Sequence, residues 1–210
     1  MAHSVKDHIS VSIIGGSGYT GAELIRLISK HPHFELNQVV ANRNAGKKIQ
    51  DIFPHLRHLN IPDFINLEEM NFDNVDLIFC ALPHATSQEI IVRIPEGKKI
   101  IDLSADFRLE QVEEYERWYG SKHIAHSLQE KAVYGLTEIY KEKIKKGSLI
   151  ACTGCNSAAS LYPVLPLLNE GIINSDSLII NLGAGVSGAG RDAKQNIIHA
   201  EVSEGVKPYN

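Results

Sequence analysis

A strand-like segment runs directly into a glycine-rich turn near the start of the chain, and this junction constrains the fold more than any other feature. Residues Ile9–Ile14 are mostly β-branched, the next seven read Gly-Gly-Ser-Gly-Tyr-Thr-Gly (15–21), and apolar residues then recur at helical spacing. Glycines at such a turn let the backbone approach a pyrophosphate at the helix N-terminus, where unpaired N–H groups and the helix dipole favour anions. The junction predicts a dinucleotide-binding unit, with a purely structural turn as the alternative.

Strand-like and helix-like segments alternate over the following 140 or so residues. Strands are predicted at residues 9–14, 34–41, 75–82, 99–103 and 149–151. Helices are predicted at residues 22–28 and 87–94. The alternation predicts an α/β fold, a Rossmann-type doubly wound parallel sheet with right-handed crossovers.

A second domain is expected to follow this sheet. We assign residues 1–151 to the dinucleotide-binding domain and residues 152–210 to the beginning of an α+β catalytic and dimerisation domain. In the second part, helical spacing predicts a helix over residues 157–169, which its two prolines should distort. An apolar run predicts a strand over residues 177–182, before a glycine-rich loop.

Composition excludes several classes of protein. The 210 residues are 43% hydrophobic and 22% charged, with a formal net charge of −4, which is ordinary for a globular chain. The chain has no dense Lys/Arg stretch that would indicate nucleic acid as a partner. No apolar run reaches the roughly 20 residues of a membrane span. Residues 1–10 lack the apolar core of a signal peptide. Three cysteines without framework spacing indicate a reducing, cytoplasmic location.

The end of the second predicted strand bears on the choice between NAD and NADP. An acidic residue there would bind the ribose 2′-hydroxyl and repel a 2′-phosphate. Here the segment contains Arg43, two lysines follow, and no carboxylate occurs before Asp51. Because a planar guanidinium suits a 2′-phosphate, we predict NADP as the cofactor, with a solvated loop arginine as the alternative.

The segment Cys152-Thr153-Gly154-Cys155 lies between a predicted strand and a predicted helix. Structural zinc would need a second ligand pair that the chain lacks, and a thioredoxin-like redox pair belongs to a different context. The third interpretation is a nucleophile, Cys155, at a helix N-terminus that stabilises its thiolate. Attack on an acyl carbon would give a thioester, which a nicotinamide on the same chain would reduce. Cys80, inside an apolar run, is predicted to be a small buried hydrophobe.

Several motifs, in order along nearly the whole chain, resemble the N-acetyl-gamma-glutamyl-phosphate reductase family of arginine biosynthesis. They are Gly-Gly-Ser-Gly-Tyr-Thr-Gly-Ala-Glu-Leu (15–24), Ala-Gly-Lys-Lys (45–48), Phe-Pro-His-Leu (53–56), Ala-Leu-Pro-His (81–84), Asp-Leu-Ser-Ala-Asp-Phe-Arg-Leu (102–109), Tyr-Gly-Leu-Thr-Glu (134–138) and Val-Ser-Gly-Ala-Gly-Arg (186–191). The resemblance implies reduction by NADPH of a small acyl-phosphate substrate, an N-acylated glutamyl phosphate, to its semialdehyde with release of phosphate. It also implies a homo-oligomer.

The resemblance assigns roles residue by residue. Cys155 matches the family's nucleophile and Arg43 would meet the 2′-phosphate. Ser104 and Arg108 would lie near the substrate, with a buried structural contact as the alternative for each. His84 would border the cofactor cleft, or else be a loop histidine packed against the sheet. The full set assigned to the cofactor besides Arg43 is Gly15, Ser17, Gly18, Tyr19, Thr20, Gly21, Pro83, His84, Ser187 and Gly188.

Two departures from the family pattern leave questions open. Many members have Asn-Pro-Gly-Cys where this chain has Cys-Thr-Gly-Cys (152–155), a variant shared with relatives that act on the one-carbon-longer aminoadipyl phosphate. A reversible Cys152–Cys155 disulfide is a further hypothesis. The family's acid–base histidine follows a Lys-Pro-Tyr segment, and this chain stops at Lys-Pro-Tyr-Asn (207–210) with no good substitute among its ten histidines. We therefore expect a fragment of a longer protein that binds NADP without turnover.

Two rival functions remain at this point. An aspartate-semialdehyde dehydrogenase would share the architecture and the chemistry but not the 102–109 block. A non-catalytic NADP-binding or redox-sensing module would instead use the pair of cysteines.

Overall fold

The computed structural model describes residues 8–208. Residues 1–7, which make up most of the segment judged not to be a signal peptide, lie outside the described residues, as do Tyr209 and Asn210 at the end of the Lys-Pro-Tyr-Asn segment. The chain divides into two compact units, Met1–Gly154 and Cys155–Asn210. The division falls after Gly154, whereas the sequence suggested a boundary after Ala151.

Seven parallel strands form one sheet in the first unit, in the order β3-β2-β1-β4-β5-β7-β6. The strands are β1 (Ile9–Ile14), β2 (Phe34–Val40), β3 (Phe64–Ile65), β4 (Leu77–Cys80), β5 (Lys99–Asp102), β6 (Val133–Gly135) and β7 (Leu149–Cys152). The predicted α/β class and Rossmann-type parallel sheet are confirmed.

Helices connect most of these strands. They are α1 (Tyr19–Ile28), α2 (Ile49–Ile52), α3 (Thr86–Ile91), α4 (Val112–Tyr119), α5 (His126–Gln129), α6 (Thr137–Lys146), α7 (Cys155–Asn169) and α8 (His199–Val202). Short 3-10 turns occur at Asn42–Asn44, Pro54–Leu56, Leu67–Glu69, Ser175–Ser177, Val186–Ala189 and Gln195–Ile197. No helix among the described residues is both long and apolar enough to cross a bilayer.

Both faces of the sheet are buried, which explains the nearly continuous apolar runs in its strands. Along β1, Val11 and Ile13 pack in one cluster with Ile25 of α1, whereas Ile14 packs in the other with Ile78 of β4. Successive strand residues point to opposite faces, so β1 contributes to both clusters. The sheet is therefore a rigid base for the loops at its edges.

The carboxyl ends of the strands are aligned by register. Ile14 pairs with Val40 on one side and Cys80 on the other, and Cys80 pairs with Asp102, which pairs with Ala151. The strand order reverses direction between β1 and β4, and in open α/β sheets ligands bind outside the carboxyl ends of the strands at such a point. The loops that follow β1, β2, β4, β5 and β7 all leave from this edge.

The structure differs from the sequence-based elements in several places. Strands β3 and β6 were not predicted, because two or three residues carry no recognisable period. The strand predicted over residues 177–182 is wrong: Ser175–Ser177 is a 3-10 turn, and residues 178–182 are exposed and irregular. A strand needs a neighbour to pair its backbone groups, and no described segment of the second unit pairs with this one. Helix α7 is continuous over Cys155–Asn169 with both prolines inside it.

Candidate active site

The glycine turn joins β1 to α1 at the point where the strand order reverses. Gly15 has a φ of +89°, and a Cβ at that position would stand 2.4 Å from the carbonyl oxygen of Ala81, just after β4. A Cβ at Gly21 would stand 2.4 Å from the carbonyl oxygen of Gly16. These two glycines are required by the close approach of backbone to backbone. A Cβ at Gly18 would meet no atom within 4 Å, so this residue borders open space.

The N-terminus of α1 is suited to an anion. Gly18 is its N-cap residue, no side chain caps the helix, and no acidic residue occurs in its first turn. The first N–H groups of a helix have no intrahelical partner, and the dipole adds positive potential at this end. Tyr19 and Thr20 are exposed, and Ser17 is half-buried. The turn and the helix N-terminus together fit the pyrophosphate of a dinucleotide.

Arg43 lies in the 3-10 turn that follows β2. The side chains on either side of it are occupied: Asn42 Oδ1 accepts from the N–H of Leu67 at 3.0 Å, and Asn44 Oδ1 accepts from Lys47 Nζ at 3.2 Å. Arg43 itself is exposed and makes no hydrogen bond or ion pair with a described residue. All its guanidinium donors are therefore free to bind a phosphate.

The loop after β4 places Pro83 and His84 at the carboxyl edge of the sheet, two and three residues beyond the Ala81 carbonyl that contacts the glycine turn. Both are exposed, so the imidazole is not packed against the sheet. Its Nδ1 accepts from the N–H of Ala105 at 3.3 Å, and its ring centroid lies 5.6 Å from that of Tyr119. In the neutral imidazole this bond leaves the proton on Nε2.

Ser104 and Arg108, in the loop after β5, have different environments. Ser104 is 2% exposed; its hydroxyl donates to Asp102 Oδ2 at 2.6 Å and accepts from the N–H of Asp106 at 3.1 Å. For Ser104 the geometry thus favours the structural alternative over direct contact with substrate.

Arg108 is half-buried and ties this loop to the end of β7. Its Nε donates to the carbonyl of Cys152 at 2.6 Å, and its Nη2 donates to the carbonyl of Leu103 at 2.8 Å. No described carboxylate forms a salt bridge with it. Since a guanidinium has five N–H donors, three remain for a carboxylate or phosphate.

A buried carboxylate, Asp102, influences two of the three thiols. Burial raises the pKa of Asp102, although the hydroxyls of Ser104 and Ser87 donate to it. Burial and the charge of Asp102 also raise the pKa of the Cys80 thiol. The pKa of the Cys152 thiol is raised in the same way, against a smaller opposing effect of Arg108. Cys152 is therefore protonated at neutral pH, which disfavours it as a nucleophile or redox partner.

Cys155 is the first residue of α7 and belongs to the second unit. Its side chain is exposed, and its Sγ lies 3.9 Å from Oδ1 of the adjacent Asn156. Ser187 and Gly188 lie in the exposed 3-10 turn Val186–Ala189 of the same unit. All three cysteines are free thiols, and the described residues contain no group of three side chains suited to a metal. The other site residues named from the sequence belong to the first unit.

Sequence reasoning missed a buried polar network centred on Asp106. This carboxylate lies four residues after Asp102 and has no exposed surface. It accepts hydrogen bonds from two backbone N–H groups at the start of α3 and from Tyr115 on α4. The available signal was the second aspartate of the 102–109 block, since a carboxylate within a buried strand-to-loop segment requires donors.

His123 packs edge-on to Tyr115 and Phe107 and is 3% exposed. Burial lowers the pKa of His123, an effect that outweighs its hydrogen bond to the carbonyl of Asp106 and the charges of Asp106 and Glu116. Protonation is thus harder in the folded state than in the unfolded state. The stability that this residue contributes is complete above about pH 6.5 and declines as the pH falls below that value.

We expect the free energy of unfolding to fall between pH 7.5 and 5.5, and the fall to be smaller in His123→Gln, which cannot be protonated. Urea denaturation at several pH values measures it. Replacing the exposed His58 by Gln is the control for the loss of one histidine side chain. An equal slope in the parent and in His123→Gln would contradict the assignment.

Comparisons with known proteins place the chain in a family. Residues 10–147 match the family model for the NAD binding domain of semialdehyde dehydrogenase, and residues 155–210 match the model for its dimerisation domain. An N-acetyl-gamma-glutamyl-phosphate reductase of Rhodobacter capsulatus is 52% identical over 200 residues, covering 95% of this chain and 58% of that protein. One from Cereibacter sphaeroides is 52% identical over 201 residues, covering 96% and 59%. The chain thus spans about three-fifths of the length of these curated relatives.

Solved structures support the fold. An aspartate semialdehyde dehydrogenase II of Vibrio cholerae aligns with a TM-score of 0.57 at 17% identity, covering 77% of this chain and 47% of that one. The enzyme of Candida albicans, solved with NADP, aligns with a TM-score of 0.55 at 21% identity, covering 78% and 47%. At these identities the likeness concerns the architecture alone.

Proposed function

The chain belongs to the semialdehyde dehydrogenase family, and from this premise we propose that its protein reduces N-acetyl-gamma-glutamyl phosphate to N-acetylglutamate 5-semialdehyde with NADPH, releasing phosphate. The observation that carries the proposal is the 52% identity, over 95% of the chain, to the Rhodobacter capsulatus N-acetyl-gamma-glutamyl-phosphate reductase. The geometry adds a cradle for a dinucleotide and an exposed cysteine at the start of a 15-residue helix.

The cofactor is proposed to be bound by the first unit. The turn from Gly15 to Gly21 and the N-terminus of α1 would hold its phosphates, and Gly18 leaves the space that they need. Arg43 would bind the 2′-phosphate, which makes NADP the cofactor. When bound, the reduced cofactor supplies a hydride.

Arg43→Ser tests this choice of cofactor. Removing the guanidinium takes away charge-assisted hydrogen bonds to the 2′-phosphate, so the Kd for NADPH should rise roughly 10- to 100-fold. The Kd for NADH should change little, because NADH lacks that phosphate. Separate titrations that follow NADPH fluorescence and NADH fluorescence measure the two constants. Arg93→Ser, at another exposed arginine, is the control. Equal losses for the two cofactors would contradict the assignment.

Cys155 is proposed as the nucleophile. Its thiolate attacks the acyl carbon, the bond from that carbon to the phosphate oxygen breaks, and inorganic phosphate leaves with the bonding electrons. This gives a thioester on Cys155. After reduction, collapse of the thiohemiacetal breaks the carbon–sulfur bond, which releases the aldehyde and restores the thiolate.

Arg108 is proposed to bind an anionic group of the substrate. Its contacts to the carbonyls of Leu103 and Cys152 fix the guanidinium while leaving three donors, and it lacks a described carboxylate partner. The substrate carries both a carboxylate and a phosphate, each of which can accept two parallel N–H bonds from an arginine.

The second unit is proposed to form a homo-oligomer. The match of residues 155–210 to the dimerisation domain of the family supports this.

Free thiols at all three cysteines are compatible with the reducing cytoplasm that the cysteine content indicates.

The substrate is tested on the whole protein by comparing aldehydes in the oxidative direction, with NADP and phosphate present. N-acetylglutamate semialdehyde should give the highest kcat/KM. The one-carbon-longer aminoadipate analogue and aspartate semialdehyde are the two comparisons, because they represent the rival acyl-phosphate reductases. A higher kcat/KM for either would replace the proposed substrate while leaving the chemistry intact. NADP binding without turnover of any of the three would favour a binding module.

A further inference from the structure

Ala85 adopts an unusual backbone conformation next to the proposed cofactor cleft. With a φ of +63°, it is the one non-glycine residue in the left-handed region among the described residues of the first unit. A residue with a Cβ loses about 1 kcal/mol or more in that region, so surrounding contacts must hold it there. Ala85 directly follows Pro83 and His84 and precedes α3. Its conformation therefore sets the path of the loop that carries those two residues.

The carboxylate of Asp106 holds this conformation. Its Oδ1 accepts from the N–H of Ala85 at 2.8 Å, and its Oδ2 accepts from the N–H of Gln88 at 2.9 Å. Asp106 has no exposed surface, so water does not compete for these bonds. The two N–H groups belong to the start of α3, where helix donors lack intrahelical partners.

Asp106 is in turn held by a side chain of α4. The hydroxyl of Tyr115, a buried residue of α4, donates to Asp106 Oδ1 at 2.8 Å. Burial and this bond raise the pKa of Tyr115, so its hydroxyl remains a donor throughout the physiological range. The backbone of Asp106 is also held, since its N–H donates to Ser104 Oγ and its carbonyl bonds with Nε2 of His123 at 2.8 Å.

A second bond joins the same two loops. The N–H of Ala105, the residue before Asp106, donates to Nδ1 of His84 at 3.3 Å. Ala105 thus contacts His84 through its backbone N–H, and Asp106 contacts Ala85 through its carboxylate.

We propose that Asp106 is a positioning residue for cofactor binding: its carboxylate holds Ala85 in the left-handed conformation and so presents Pro83 and His84 to the nicotinamide cofactor. The inference rests on the proposed function and on the family resemblance, which assigns these two residues to the cofactor. Asp106 itself, being buried, does not touch the cofactor.

Asp106→Asn tests the inference through the Kd for NADPH. The amide replaces one acceptor oxygen with a donor, which then opposes the N–H of either Ala85 or Gln88. The Kd should rise about tenfold or more. Tyr115→Phe is the matched control, because it removes the hydroxyl and its bonds to Asp106 and to the side chain of Gln88, yet it keeps both bonds from backbone N–H groups to the carboxylate. Its thermal stability should fall, while its Kd stays within about twofold of the parent.

Rescue separates positioning from a general loss of stability. Glycine adopts positive φ without penalty. Adding Ala85→Gly to Asp106→Asn should therefore bring the Kd back to within about threefold of the parent, although the carboxylate is still missing. A merely structural role for Asp106 gives no such recovery.

The outcomes are distinguishable. A parent chain that fails to bind NADPH overturns the proposed cofactor and this inference with it. A parent that binds NADPH overturns the inference alone if Asp106→Asn has an unchanged Kd, if Tyr115→Phe weakens binding equally, or if Ala85→Gly gives no rescue. Should Asp106→Asn not fold, Ala85→Pro serves instead, since proline excludes positive φ and has no N–H. A Kd raised about tenfold supports the inference, and an unchanged Kd overturns it.

Discussion

Replacing Cys155 with serine in the whole protein is expected to lower kcat/KM for N-acetylglutamate semialdehyde by roughly a thousandfold or more. The reason is chemical: a serine hydroxyl is far less ionised than a thiol and is a poor nucleophile without a base beside it. Cofactor affinity should persist, because the groups proposed to hold the phosphates lie in the first unit. Phosphate-dependent NADPH absorbance measures the rate, and NADPH fluorescence measures the binding.

The second cysteine of the motif supplies the control. Cys152 is half-buried, and burial together with Asp102 raises the pKa of its thiol, so it is protonated at neutral pH. Its contact with Arg108 is made by the backbone carbonyl, which serine retains. Cys152→Ser should therefore keep most of the activity. If Cys152→Ser is inactive and Cys155→Ser is not, the nucleophile has been assigned to the wrong residue.

Gly15→Ala is expected to lower the free energy of unfolding by about 3 kcal/mol or more. Alanine is strained at a φ of +89°, and its Cβ would stand 2.4 Å from the carbonyl oxygen of Ala81. That oxygen belongs to the backbone at the end of a central strand, so it cannot move aside cheaply. Urea denaturation of the parent and the variant measures the difference.

Gly18→Ala is the matched control for Gly15→Ala. Its φ is −86°, and the added Cβ would meet no atom within 4 Å, so the free energy of unfolding should change by less than about 1 kcal/mol. If the cofactor phosphates occupy that open space, the Kd for NADPH should nevertheless rise. Equal destabilisation by the two substitutions would contradict the described geometry of the turn.

The sequence predicted those parts of the fold in which local pattern and tertiary environment agree. The run from Ile9 to Ile14 is the observed β1, and the segments predicted at residues 99–103 and 149–151 differ from β5 and β7 by one residue each. These strands are buried on both faces, so their composition alone distinguishes them from their surroundings. The apolar run at 177–182 has the same composition but no paired neighbour among the described residues, which no local pattern could reveal.

The site was predictable where a residue type itself carries the function. Glycines at a turn, an arginine after β2 and a cysteine at a helix start each indicate a chemistry directly. The role of Asp106 depends on groups 9 to 21 positions away, such as Tyr115 and Ala85. Ala85 itself gave no signal, because alanine seldom adopts positive φ and only its contacts keep it there.

The most direct test of the covalent acyl-phosphate mechanism is the time course of NADPH formation from N-acetylglutamate semialdehyde and NADP, with and without phosphate. Without phosphate, Cys155 should be acylated once, giving a burst of about one NADPH per active site and an acyl mass on the Cys155 peptide. With phosphate, the thioester should be cleaved and turnover should continue. Sustained turnover that ignores phosphate, or a burst without acylation of Cys155, would contradict the account.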